Sequence, residues 1–426
     1  MSKLKFLGGC REVGRNSVLL NTNNEKILMD YGIMLNNVPE GETEKPPELP
    51  QKPNLDIDGV LVSHAHIDHS GLVPSLYNRG FFGTTYATPT TFDLMQILLR
   101  DSIKIAKLKN YPQHFYRKDI RKLKNNSHRV TYGQTFPIGN TDVTVYDGGH
   151  IPGSSCFYLD TGDKKVLFTG DINSTSSELI EGMDIDFPDV DVLITETTYG
   201  ERDHEPREKM EKELVSRVRN TLSENGIAMI PAFAVGRSQE ILLILQKYGI
   251  EAPIYLDGMA VDATKIILDY PEFLRYPEKL KKAYHDLRTV GSHKKRRDIV
   301  KKPCVIVTTS GMLTGGPIAY YLKKLHDRRD CSVTMTGYQV EGTNGRKLLN
   351  TGKYEVDGKR LNVKCSYKKL DFSAHSGRSE LFKLVNKVDP EKVFCIHGDE
   401  TPKFARELQE QGYDATAPKN GDEIEI

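Results

Sequence analysis

Paired cysteines are missing from this chain. Its six cysteines, Cys10, Cys156, Cys304, Cys331, Cys365 and Cys395, are scattered with no CxxC spacing. That excludes a disulfide framework and a cysteine-zinc site, and leaves buried reduced thiols. Long hydrophobic runs are missing too. The segments AMIPAFAV and ILLIL fall far short of the roughly 20 apolar residues that cross a bilayer. The start, MSKLKFLGGC, lacks the apolar stretch of a secretory signal. These absences point to a cytoplasmic protein with no membrane partner. Net charge is nearly absent, +1 over 426 residues, so any basic surface must be local. No repeat, low-complexity linker or disordered tail stands out, and 38% hydrophobic with 27% charged residues is an ordinary globular composition.

The first half consists of short apolar runs punctuated by Gly, Asn and Asp: NSVLLN, KILMDYG, GVLVSHAH, DVTVYDGGH, CFYLDT, KVLFTGD and VLITET. These read as strands. One long helical pattern interrupts them, from about Thr91 to Lys109. From about residue 200 the pattern changes to alternating helices and strands. PREKMEKELVSRVRNTLSENG is a helix, AMIPAFAV a strand, GRSQEILLILQKYG a helix and APIYLDG a strand. Helices around 260–300, the strand PCVIVTTSG, a helix near 317–327 and the strand CSVTMTGYQ follow. Such alternation predicts a parallel sheet with helical crossovers. KVFCIHGD and a closing helix, TPKFARELQEQG, complete the chain.

Ligand-type residues stand at the C-terminal ends of these runs. KILMD ends at Asp30, GVLVSHAH at His64 and His66, VTVYDGGH at His150, VLFTGD at Asp171, VLITE at Glu196 and VFCIH at His397. Sites in open α/β sheets lie beyond the carboxyl ends of the strands. In HAHIDH, His64 and His66 share one side of an extended segment, and Asp68 and His69 follow where the chain turns into a helix. Imidazole with carboxylate suits zinc. Isolated histidines such as His114, His128, His204 and His285 carry no such signal. Basic runs occur at RKDIRKLK, 117–124, and HKKRR, 293–297. A run of this kind is usually a solvated helix face; if it tracks a phosphate backbone, binding weakens steeply with salt.

HAHIDH, GGHIPGS and FTGDIN resemble the metallo-β-lactamase fold, an α/β architecture of αβ/βα layers with a dinuclear metal site. ITETTYG, DFSAHSGR and FCIHGD, with PAFAVGRSQEILLIL, TTSGMLTGGP and TGYQVEGTNGRKLL, resemble its β-CASP subgroup. The resemblance implies a metallo-β-lactamase domain over 1–199, an inserted β-CASP domain over 200–370 and a return segment over 371–426. It implies two zinc ions: His64, His66 and His150 on one, Asp68, His69 and His397 on the other, and Asp171 bridging. Asp30 would orient a ligand imidazole, and Glu196 would position His375 near the leaving group. Asp30, Asp68, Glu196 and His375 form the candidate catalytic set.

Gly236-Arg237-Ser238 sits where a strand meets a helix, where backbone N–H groups can hold a phosphate, and the resemblance implies that they do. Ser310-Gly311-Met312 is expected to repeat that arrangement. Ser154, Arg237, Ser238, Ser310 and Gly311 are the candidate substrate-binding residues. His397 in the last motif is similar to the RNA-processing branch, close to the polyadenylation-factor nuclease without KH domains. The implied activity is hydrolysis of single-stranded RNA, internally, from the 5′ end, or both. Pairing is frequent among such proteins, so the resemblance implies a homodimer. The alternatives are a small thioester or lactone hydrolase, a DNA-directed β-CASP nuclease, and a non-catalytic RNA-binding partner.

Overall fold

The computed structural model describes residues 2–35 and 45–426. Two seven-stranded sheets face each other. The first runs in the order Glu423–Glu425, Lys3–Gly8, Ser17–Asn21, Lys26–Met29, Gly59–Leu61, Thr84–Ala87, Ser127–Arg129. The second runs Asp414–Thr416, Lys392–Ile396, Val192–Glu196, Lys165–Phe168, Ser155–Asp160, Thr141–Asp147, Thr135–Ile138. Side chains alternate along each strand, so Ile27 and Met29 enter the space between the sheets with Phe157, Phe168 and Ile194. Leu28 points the other way, against Leu94, Leu99 and Ile103 of the helix Pro89–Leu108. On the far side Leu193, Val393 and Cys395 meet the helices Arg378–Val388 and Thr401–Glu410. The strands are therefore buried on both faces, which is why they read as unbroken apolar runs.

The chain closes on itself. Lys392–Ile396 lies parallel to Val192–Glu196, with Glu196 opposite Ile396. The last strand pairs with the first, Ile424 opposite Leu4.

A third sheet holds Arg288–Val290, Ile254–Asp257, Cys304–Thr308, Ile227–Pro231, Ser332–Met335 and Ser366–Lys369 in that order. Every pair is parallel, as the alternation of helices and strands predicts. Ala228, Ile230, Val305 and Val307 face one helical layer; Met229, Ile306, Val333 and Met335 face the other. This domain rests on the loop that follows Asp171. Glu240, on the helix Arg237–Lys247, accepts from the backbone N–H groups of Glu178 at 3.1 Å and Leu179 at 2.8 Å, and pairs with Arg207. Arg275 donates its backbone N–H to Leu179 at 2.9 Å and its guanidinium to Ser177 at 3.0 Å.

The long helix begins at Pro89 rather than Thr91, because Thr88 caps it by accepting from the Thr91 N–H. The run 117–124 lies in the helix Arg117–Asn125, with Ile120 and Leu123 buried and its basic residues on the solvent side. In the second run, Arg296 donates two hydrogen bonds to buried Asp257, at 2.7 and 2.9 Å. All six cysteines are buried and unpaired. Among the described residues no helix is long and apolar enough to cross a membrane.

Gly32 shows how tightly the HAHIDH turn is seated. Tyr31 N–H donates to the His69 carbonyl and Asn16 N–H to that of Asp68, at 2.7 and 2.8 Å. A Cβ on Gly32 would fall 1.7 Å from the Asp68 oxygen. Gly32→Ala is expected to lower stability by about 1–3 kcal/mol, the usual cost of overpacking, or more. Gly291→Ala, with nothing within 4 Å of the added carbon, is expected to leave the thermal midpoint nearly unchanged. Paired thermal denaturation checks both.

Candidate metal centre

Six strand ends carry the site. Asp30 and His397 leave their strands in the left-handed conformation, at φ of 57° and 49°. Each costs about 1–2 kcal/mol of backbone strain, which the surrounding bonds hold in place. Gly149 has φ 65°, and a Cβ there would lie 2.2 Å from the Asn173 carbonyl. Glycine is thus required beside His150, where the turn packs against the loop after Asp171.

His64, His66, His150 and Asp171 form one donor group; Asp68, His69 and His397 form a second. Within each group the donor atoms lie within 4.8 Å of one another. His64 Nε2 and His150 Nε2 each stand 3.1 Å from His66 Nδ1. Asp171 faces both groups. Its Oδ2 is 3.5 Å from His64 Nε2 and 3.8 Å from His150 Nε2, while its Oδ1 is 3.2 Å from His69 Nε2 and 3.4 Å from His397 Nδ1. Asp68 Oδ2 lies 3.6 Å from His397 Nε2.

Hydrogen bonds behind the imidazoles fix which nitrogen faces inward. His69 Nδ1 donates to Asp30 Oδ2 at 2.7 Å; that carboxylate also accepts from Ser63 N and Oγ and from Asn16 Nδ2. Because Ser63 Oγ gives its proton to Asp30, it accepts from His64 Nδ1 at 3.1 Å. His150 Nδ1 donates to the Ala374 carbonyl at 2.7 Å. Thr198 Oγ1 gives its proton to the His397 carbonyl and accepts from His397 Nδ1 at 3.2 Å. The nitrogens left over point at the two centres. His69 Nε2, His397 Nε2 and Asp171 Oδ1 are buried with no hydrogen-bond partner, a costly state unless a cation completes it.

Metal–nitrogen bonds of about 2.0–2.1 Å at tetrahedral angles put donor atoms roughly 3.3 Å apart. The observed 3.1–3.8 Å spacings fit that requirement. Burial, together with the neighbouring imidazoles, pushes His64 and His150 well below the usual histidine range and keeps them neutral as ligands. Asp171 is buried, which opposes its charge. The facing histidines, His69 first, win and hold its carboxyl well below the usual range.

A third grouping stands beside the first: Asp171, Glu196 and His375. His375 Nδ1 donates to Glu196 Oε1 at 2.9 Å, and Glu196 is held by Ile172 N–H at 2.8 Å and Thr198 N–H at 3.2 Å. Burial lowers the His375 pKa, but Glu196 and Asp171 outweigh it and hold it up at about 9. The His375 ring lies 4.6 Å from that of His150. Its Nε2–H is the donor turned away from Glu196.

The expected phosphate turns differ from the sequence reading. Arg237 N–H donates to Val235 and Ser238 N–H to Phe233, so these amides are spent inside their own turn. Ser238 Oγ also donates to Phe233, at 2.6 Å. Arg237 keeps a buried Nε with no partner, and burial, with Arg207 nearby, lowers its pKa to about 10. Ser310-Gly311-Met312 is not a helix start: the helix begins at Gly316, and Ser310 Oγ donates to Thr314. Ser154 is buried, and its Oγ accepts from the N–H groups of His150 and Ile151, shaping the turn that carries His150.

Sequence reasoning missed Asn16, Ser63 and Thr198, common residue types that act only through distant partners. It also missed Tyr199, whose ring lies 6.0 Å from His375 and 4.5 Å from His204. His204, with its Nδ1 3.7 Å from Asp371, is therefore nearer the centre than an isolated histidine suggests.

Residues 10–198 match the Metallo-beta-lactamase superfamily, 238–348 the Beta-Casp domain, and 360–418 the Zn-dependent metallo-hydrolase RNA specificity domain. The chain is 36% identical over 430 residues to "Probable RNase MJ4" of Methanocaldococcus jannaschii, covering 99% of each. It is 37% identical to "RNase aCSPSF2" of Saccharolobus solfataricus, over 99% of this chain and 85% of that one. It is 37% identical to "Transcription termination factor FttA" of M. jannaschii, over 94% of this chain and 67% of that one. A solved protein of unknown function from Enterococcus faecalis V583 shares the fold, at TM-score 0.63 and 14% identity over 99% of each chain. The superfamily binds divalent metal, and the paired donor groups are where this chain offers it ligands. With two archaeal RNases matched along nearly the whole chain, the protein belongs to the β-CASP family of the metallo-β-lactamase superfamily.

Proposed function

We propose that the protein is a ribonuclease that hydrolyses phosphodiester bonds of single-stranded RNA, with two zinc ions as its metals. One observation carries this reading: a Glu196–His375 pair stands beside two donor groups that share a single carboxylate, Asp171. The first group, His64, His66, His150 and Asp171, would hold one ion, and Asp68, His69, His397 and Asp171 the other. When bound, such a pair supplies Lewis-acid activation of water and neutralises phosphate charge.

The protein's own groups do the rest. Asp30 keeps His69 in the tautomer whose Nε2 faces inward. Glu196 holds His375 so that Nε2–H serves as the proton donor to the leaving 3′ oxygen. The water oxygen bonds to phosphorus as the bond to the 3′ oxygen breaks; the His375 proton goes to that oxygen, and the proton given up by the water passes to solvent, from which His375 is reprotonated. Arg237, with its unpartnered Nε, is the phosphate contact the geometry favours over the turn amides. The names of the archaeal RNases support RNA as the substrate, as does the RNA specificity domain at 360–418.

Asp30→Asn is expected to weaken metal affinity roughly 10- to 100-fold, as loss of an outer carboxylate partner does; chelator competition measures this. His375→Ala is expected to slow cleavage of labelled single-stranded RNA about 10²–10⁴-fold with metal content unchanged by elemental analysis. Full activity in that variant would remove His375 from the reaction.

A further inference from the structure

The parallel sheet of the inserted domain presents its carboxyl edge towards the catalytic residues. Four adjacent strands end there: Cys304–Thr308, Ile227–Pro231, Ser332–Met335 and Ser366–Lys369. At or just past those ends, in the same order across the sheet, come Gly311, Phe233, Tyr338 and Lys369. Phe233 and Tyr338 are the two exposed large apolar side chains among the described residues of 200–370, at 37% and 45%. Two open aromatic rings on neighbouring strand ends cost water-exposed apolar surface that the fold does not need.

Their surroundings are shaped to keep them open. A Cβ on Gly337 would lie 2.9 Å from Phe233 Cε2, and one on Gly311 3.5 Å from Phe233 Cδ2. Glycine on both sides leaves the Phe233 ring flanked by bare backbone. Lys369 Nζ stands 5.6 Å from the Tyr338 ring centroid. The row continues into the catalytic centre. Two residues past Lys369, Asp371 pairs with Arg202 at 3.3 Å. Tyr199 carries the Arg202 guanidinium 5.1 Å from its ring and lies 6.0 Å from His375.

We infer that Phe233 and Tyr338 form a base-stacking platform for the nucleotides flanking the scissile phosphate, with Lys369 and Arg202 lining the backbone path. Open aromatic faces interleaved with cations are how proteins hold single strands without reading their sequence, because every base offers a π-face. The edge beyond strand carboxyl ends is where α/β sheets bind ligands. This inference rests on the ribonuclease reading for its ligand, and it adds the residues that seat the strand.

The test uses metal-loaded protein and a fluorescein-labelled single-stranded RNA, with matched RNAs each carrying one abasic site. Stopped-flow anisotropy reads binding before turnover, and gel analysis reads cleavage. The unsubstituted protein should bind about tenfold more weakly when the abasic site falls at one or two positions near the cleavage point. Phe233→Ala with Tyr338→Ala should bind intact RNA about tenfold more weakly, the scale of one stacked base, and should lose the abasic penalty. Phe233→Trp and Tyr338→Phe should keep affinity within about twofold. Binding by the double alanine variant within twofold of the parent, or an abasic penalty that persists in it, would overturn the platform. A parent that binds with the abasic penalty but cuts no RNA would instead sink the ribonuclease reading and leave the platform standing.

Discussion

A buried carboxylate surrounded by imidazoles is the constraint on which the site depends. Asp171 is removed from solvent and faces His64, His69, His150 and His397 at 3.2–3.8 Å. Taking a carboxylate out of water costs several kcal/mol unless charge or hydrogen bonds compensate. The compensation comes from residues far apart in sequence, so the two facing sheets must bring six strand ends to one edge. The left-handed turns at Asp30 and His397, the glycine at 149 and the close seat at Gly32 all serve that convergence.

The inserted domain is tied to the same place. The loop that begins at Asp171 passes through Glu178 and Leu179, where Glu240 and Arg275 grip its backbone. On its way Ile172 donates to Glu196 and accepts from Ser376. One loop thus touches the shared carboxylate, the Glu196–His375 pair and the inserted domain. A shift of the inserted domain would reach the catalytic residues along this loop, through the hydrogen bonds of Glu240, Arg275 and Glu196 to its backbone.

The strand ends were readable because a buried strand is a continuous apolar run, and a polar ligand at its end marks the place where the chain leaves the core. Sheet type in the inserted domain was readable for a related reason: parallel pairing requires a helical crossover, and the alternation of patterns shows it. Edge strands such as Ser127–Arg129 and Glu423–Glu425 were not readable, since three half-exposed residues carry no periodicity. The phosphate turns misled because a glycine-rich strand-to-helix junction looks the same whether its amides are free or, as at Arg237 and Ser238, closed internally.

By itself the sequence determined the donor inventory, the strand ends that carry it and the parallel character of the insertion, since these follow from local pattern and residue chemistry. Tertiary structure alone decided which donors share Asp171, which nitrogen each histidine turns inward and which amides are already spent. It also decided that Phe233 and Tyr338, far apart in sequence, follow the ends of paired strands, with Gly337 against the Phe233 ring. Those outcomes depend on sheet order and on partners such as Ser63, Thr198 and the Ala374 carbonyl, whose residue types announce nothing until the fold puts them within about 3 Å of an imidazole.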